Sequence, residues 1–163
     1  MAQFEDIHQL DFFQPLPADS VREILAKGSL RVYRQGDIII EEGRTRTRGL
    51  YIVLSGQVKV IKRITDRESK TLAVLRAGEV LGEMSIFEDQ PHSATAVAMR
   101  ETSVLLLSRE EVQAFVARDL ELGVRLLVKL LQVMGMRIRA LNEQVTLLGS
   151  MALSLRRRNL PMD

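Results

Sequence analysis

Two short segments carry residue types that can hold a small anionic ligand: Gly82-Glu83-Met84-Ser85 and, starting six residues beyond Ser85, Pro91-His92-Ser93-Ala94-Thr95. Gly82 permits a tight swing of the backbone, after which the consecutive N–H groups of Glu83, Met84 and Ser85 can point together at a phosphate-sized group. A carboxylate beside such a nest repels phosphate but accepts well from a sugar hydroxyl, so Glu83 fits a sugar phosphate better than a bare anion. The enzymatic alternative, a phosphodiesterase using Glu83, Ser85 and His92, lacks a metal cluster and a nucleophile with an evident base and orienter. With no cysteine, and with His8 and His92 as its two histidines, the chain offers neither disulfides nor a convincing metal constellation.

These segments resemble the phosphate-binding cassette of cyclic nucleotide-binding domains, which reads Gly-Glu-x-(Ala/Ser), a spacer, then Pro-Arg-x-Ala-Thr, and the spacing matches without a gap. The resemblance extends upstream through Gln35-Gly36-Asp37, Glu42-Gly43 and Leu50-Tyr51-Ile52-Val53-Leu54-Ser55-Gly56-Gln57-Val58, and covers about residues 10 to 145. It implies that Gly82, Met84 and Ser85 offer backbone N–H groups to a cyclic phosphate and that Glu83 accepts the ribose 2′-hydroxyl. It further implies that Ser93, Ala94 and Thr95 close the other side, while Leu72 and Ala73 line the base pocket. Arg137, Arg139 and Asn142 fall where the family's C-terminal helix closes over the ligand, with Asn142 placed to read a base edge. The implied ligand is a cyclic nucleotide, cyclic AMP or cyclic GMP, and no cofactor is implied.

One position departs from the pattern: the cassette arginine is His92 here. An arginine presents a fixed charge and a bidentate fork, whereas an imidazole gives one useful donor. Losing a charge-assisted contact of about 1.5–3 kcal/mol weakens binding about tenfold to a hundredfold. The site is therefore weak, or degenerate, or suited to another ligand, unless Arg137 or Arg139 supplies the charge. The corresponding functions are a regulatory sensor that signals through an unidentified protein partner, a degenerate scaffold that dimerises without nucleotide, or the sensor part of a transcription regulator. Regulators of the catabolite-activator type continue into a winged helix-turn-helix, and the chain as given, ending at Asp163, is expected to carry no DNA-binding element.

Composition sets the frame around these segments. The 163 residues are 46% hydrophobic but only 4% aromatic, with no Trp, so the core is expected to be Leu, Val, Ile and Met. A net charge of +2 is too small to argue for nucleic acid. No signal-peptide pattern opens the chain and no run reaches about 18 uncharged apolar residues, which gives the expectation of a cytoplasmic protein without a membrane span.

The elements that must position the cassette follow from periodicity. Phe4, Ile7, Leu10 and Phe13 have helical spacing that Pro15 and Pro17 break, and Asp19 or Ser20 is expected to cap a second helix ending at Lys27-Gly28. From Leu30 the period shortens to eight strands: Leu30–Tyr33, Ile38–Glu41, Leu50–Leu54, Gln57–Ile64, Thr71–Leu75, Val80–Leu81, Thr95–Ala98 and Ser103–Leu107. Ser55-Gly56 reads as a two-residue hairpin turn, and Thr65–Ser69 as a polar loop between strands. Arg44, Arg46 and Arg48 alternate along one loop, which is either a solvated tip or a landing site for an acidic partner.

Ser108 and Glu111 form a capping box before a helix from Arg109 to about Arg118. Beyond it Leu120, Val124, Leu127, Leu131, Met134, Ile138, Leu141, Val145, Leu148, Ala152 and Leu155 step by fours and threes as a coiled-coil seam, with Leu122, Leu126, Leu130 and Val133 on another face. The expected architecture is α+β: an antiparallel, jelly-roll-like β-roll at 29–108 between N-terminal helices at 1–28 and a helical segment at 109–163 that makes a homodimer. The basic tail Arg156-Arg157-Arg158 is a weak nucleic-acid signal and an equally good solvated terminus.

Overall fold

The computed structural model describes residues 4–45 and 48–158, with side chains to 155. Eight antiparallel strands form two four-stranded sheets: β1 (Ser29–Tyr33), β8 (Thr102–Ser108), β3 (Gly49–Ser55) and β6 (Val80–Leu81) in one, and β2 (Ile38–Ile40), β7 (Thr95–Ala98), β4 (Gln57–Arg63) and β5 (Ser69–Arg76) in the other. Alternate side chains point inward from each sheet. Tyr51, Val53, Val104 and Leu106 from the first meet Ile40, Val58, Leu75, Ala96 and Ala98 from the second in one buried cluster. This is the expected β-roll.

The inner strand β3 is buried on both faces, which is why Leu50 to Leu54 reads as an unbroken apolar run rather than an alternating one. The outer face of the first sheet is covered by α2 (Ala18–Lys27), which lies on β8, and by α4 (Arg109–Arg118), which lies on β3 and β8. The Ser108–Glu111 capping box is present, with Glu111 N–H donating to Ser108 Oγ at 3.2 Å and Ser108 N–H to Glu111 Oε2 at 2.6 Å.

Three local expectations are corrected. Ser55-Gly56 is not a hairpin turn: β3 pairs with β6 and β8, whereas β4 pairs with β5 and β7, so Gly56 carries the chain from one sheet to the other. A Cβ at Gly56 would lie 2.4 Å from the Oγ1 of buried Thr102, whose hydroxyl accepts from Gln57 N–H at 3.2 Å and so fastens the crossing. The second helix is not capped by Asp19 or Ser20. It starts two or three residues earlier, with Pro17 as N-cap and no side-chain cap, while Asp19 pairs with Arg22 at 2.9 Å. The first helix, α1, spans only Phe4–His8, and Phe12 and Phe13 beyond it are fully buried and packed edge to face at 5.3 Å.

The long helix α5 runs Leu120–Arg158 and starts on a side-chain cap, Asp119 Oδ1 accepting from Leu122 N–H at 3.0 Å. The chain divides into two compact units, Met1–Leu126 and Leu127–Asp163. In the first, Leu122 and Leu126 are buried while Leu120 and Val124 are exposed. In the second, seam residues Leu131, Ile138, Leu141, Val145, Leu148 and Leu155 are all at least half exposed. Among the described residues no helix is long and apolar enough to cross a membrane.

Candidate functional site

Gly78 and Gly82, with φ of 89° and 77°, bracket the short strand β6 and let the chain double back into α3 (Met84–Phe87). The approach at Gly82 is close: a Cβ there would stand 2.5 Å from the Gly49 carbonyl oxygen and 3.1 Å from Tyr51 Cδ2. Ser85 fixes the turn, its hydroxyl donating to Gly82 O at 2.7 Å and accepting from Gly49 N–H at 3.1 Å. Glu83 and Ser85 are each only 4% exposed, whereas Met84 is exposed. Of the three convergent N–H donors expected from the sequence, that of Ser85 closes onto Gly82 O at 3.1 Å, so an anion must share or displace that bond. The Ser85 hydroxyl is likewise committed to the turn.

The returning arm is held mainly through its backbone. His92, half-buried, donates its N–H to Arg44 O at 3.0 Å and accepts from Gly43 N–H at 2.9 Å. Ser93 O accepts from Lys62 Nζ at 2.6 Å, and Lys62 also donates to Glu42 Oε1 at 2.8 Å. Glu42 N–H in turn donates to Thr95 Oγ1 at 3.0 Å. Ser93 is exposed and Ala94 half-buried at the start of β7. The Lys62 hydrogen bond, with help from the Arg63 backbone N–H, holds the Glu42 carboxyl below its ordinary range.

Asp89, in the spacer between the two arms, gathers two arginines. It accepts from Arg109 Nη1 at 2.5 Å and from Arg48 Nη1 at 2.6 Å, while its carbonyl accepts from Arg48 Nη2 at 2.9 Å. The Arg109 hydrogen bond first, then the charges of Arg109 and Arg48, hold the Asp89 carboxyl below its ordinary range. Within the basic loop Arg48 bonds to Asp89 and Arg44 pairs with Glu41 at 3.3 Å, while Arg46 lies outside the described residues.

Of the two residues expected to line a base pocket, Ala73 packs against the core cluster. Leu72 is the extra residue of a β-bulge, since Val60 pairs with Ala73 and Ile61 with Thr71, and a bulge re-aims its side chain. Arg137, Arg139 and Asn142 lie on the second unit, the first half-buried and the others exposed, and Asn142 O accepts from Thr146 Oγ1 at 2.9 Å. An open cleft of about 340 Å³ sits beside the arm, lined by Glu42, Gly43, Arg63, Ile64, Thr65 and Asp66, and none of the expected ligand residues lines it. The turn chemistry, not the cleft, is the better guide to a site here.

Sequence reading missed Lys62, Glu42 and the Asp89 cluster. The first had a signal: Val58, Val60 and Lys62 occupy alternate positions of one strand, so a charge stands where the pattern calls for an apolar inward residue. The cluster had none, because its members are 41 and 20 residues apart.

Strand order and the glycine-hinged turn between β6 and β7 define an antiparallel β-roll with a ligand-type turn inserted in it. The chain belongs to the cyclic nucleotide-binding domain family, whose model matches residues 30–119, more than half of its length. It is similar to the cyclic AMP receptor protein of Thermus thermophilus, 36% identical over 106 residues that make up 65% of this chain and 49% of that protein. Among solved structures it resembles the cyclic nucleotide-binding domain from Methylobacillus flagellatus, with a TM-score of 0.76, 28% identity, and coverage of 88% of this chain and 80% of that one. It also resembles the Thermus thermophilus catabolite activator protein, with a TM-score of 0.74, 30% identity, and coverage of 92% and 72%. The chain spans about half the length of the curated relatives it matches.

Proposed function

We propose that this chain is a non-enzymatic regulatory module that binds a cyclic nucleotide between Gly82–Ser85 and His92–Thr95 and transmits binding to a protein partner. The observation that carries the reading is the pairing of a glycine-hinged turn with a carboxylate, Glu83, only 4% exposed beside it. A carboxylate accepts strongly from a sugar hydroxyl, and a ribose hydroxyl is the donor that a sugar phosphate seated on this turn would bring to it. Membership of the family and the name of the Thermus relative support cyclic AMP as a first candidate, with cyclic GMP beside it. In this reading Leu72 and Ala73 flank the base, Arg137 and Asn142 act from the long helix, and the exposed seam of α5 joins two copies.

The second reading, a scaffold that keeps the fold without binding nucleotide, is favoured by one observation, His92 where the family's pattern has arginine. Titration calorimetry with cyclic AMP and cyclic GMP separates the two. The sensor reading expects saturable binding that weakens about tenfold to a hundredfold in Glu83→Ala, through loss of a charged acceptor worth about 1.5–3 kcal/mol. No heat with either nucleotide favours the scaffold over a sensor of cyclic AMP or cyclic GMP. Equal affinity in a folded Glu83→Ala protein removes Glu83 from the site.

A further inference from the structure

We propose that Lys62, on strand β4, supplies the cation that position 92 lacks, so that a bound cyclic phosphate is held by this lysine together with the backbone of the cassette. The inference rests on the sensor reading above and names the group that makes it electrostatically workable.

Strand geometry places Lys62 on the inner side of the roll. Val58 is fully buried, Val60 packs against the core cluster, and Lys62 follows two residues later on the same face, β4 running unbroken while the bulge falls in β5. Its Nζ reaches Ser93 O at 2.6 Å, one residue past His92, so the ammonium stands at the arm that would carry an arginine in the family's pattern. An ammonium has three hydrogens. One goes to Ser93 O and one to Glu42 Oε1 at 2.8 Å, which leaves the third for a ligand, and the side chain stays 44% exposed.

Glu42 pairs with Lys62 through one oxygen and accepts Arg63 N–H at 3.1 Å with the other, so its carboxylate is held in place and aims Nζ at the arm. The charged groups at this corner are Lys62, Arg63, Glu42 and Asp66, and of these Lys62 is the one whose ammonium bonds to the arm. A cationic donor beside backbone N–H groups is what a phosphate monoanion calls for.

The competing account is that Lys62 only ties the arm to β4. The test compares wild type, Lys62→Met, Lys62→Arg and the double variant Lys62→Met/His92→Arg by titration calorimetry with cyclic AMP and cyclic GMP, with thermal unfolding as a control for folding. The expected result is an affinity about tenfold to a hundredfold lower in Lys62→Met. Lys62→Arg should bind nearly as wild type does, and adding His92→Arg to Lys62→Met should restore most of the loss. The salt dependence of binding should also flatten in Lys62→Met, because a phosphate contact is gone. Unchanged affinity in Lys62→Met overturns this proposal and leaves the sensor reading standing. A loss that neither flattens the salt dependence nor yields to His92→Arg also overturns it, in favour of the tie. A wild type that binds neither nucleotide overturns both.

Discussion

Replacing Gly82 with alanine tests the geometry on which the cassette depends, and Gly36 provides its control. Both glycines have left-handed backbones, with φ of 77° and 90°. They differ in surroundings: a Cβ on Gly36 meets nothing within 4 Å, whereas one on Gly82 stands 2.5 Å from Gly49 O. The left-handed conformation costs a residue with a Cβ about 1–2 kcal/mol, and that is the whole expected effect of Gly36→Ala. Gly82→Ala carries the same strain and must also push the turn away from the central strand β3, where Tyr51 is 1% exposed and cannot yield. Overpacking of this kind costs about 1–3 kcal/mol more, for a total of about 2–5 kcal/mol. Urea denaturation reads both variants, provided the slope m is unchanged between them. A Gly82→Ala protein no less stable than Gly36→Ala would refute the close approach of the turn to β3 in solution, and with it the placement of Glu83 and Ser85.

Two further expectations concern the spacer and the long helix. Asp89 is held below its ordinary value of 3.8 by Arg109 first and Arg48 second, so the folded state favours its ionised form. The stability this adds is complete above about pH 5 and is lost as pH falls through the lowered folded value, so the melting deficit of Asp89→Asn should be constant from about pH 5.5 to 7 and shrink below about pH 4. A deficit that does not change with pH would show that the arginines contact Asp89 without favouring its charge. In α5, Leu131 and Ile138 are 66% and 55% exposed. If the seam joins two copies, Leu131→Asp/Ile138→Asp buries two unpaired charges at a cost of several kcal/mol, about enough to leave a monomer at micromolar concentration by light scattering. A variant that still scatters as a dimer, or a wild type that scatters as a monomer, would place association elsewhere or nowhere.

The parts of this fold that were legible are those fixed by local chemistry. Gly56 and Gly82, where the sequence calls for a turn, both have positive φ, because each meets a backbone requirement that only glycine satisfies without strain. The capping box at Ser108 and Glu111 was readable because it too is local chemistry. What could not be read is which strands pair. A two-residue link of Ser and Gly has the same local signature whether it closes a hairpin or crosses between sheets, and the choice is made at Thr102, 45 residues from Gln57. Asp19 looked like a better cap than Pro17, but Val21 N–H finds the Pro17 carbonyl at 3.0 Å and the helix begins there.

The same contrast bears on why position 92 tolerates a residue other than arginine. Two forces hold the returning arm, and they draw on different atoms. Backbone bonds from His92 N–H to Arg44 O and from Gly43 N–H to His92 O fix its course, and any residue except proline can make both. Lys62 and Thr95 fix its flanks at Ser93 O and Glu42 N–H. Exchanging the side chain at 92 therefore removes charge and reach toward a ligand but no bond that these groups make to shape the arm. Affinity can then vary at 92 while the fold stays as it is, which is why one substituted residue in an otherwise gap-free cassette bears on binding strength and not on membership of the family.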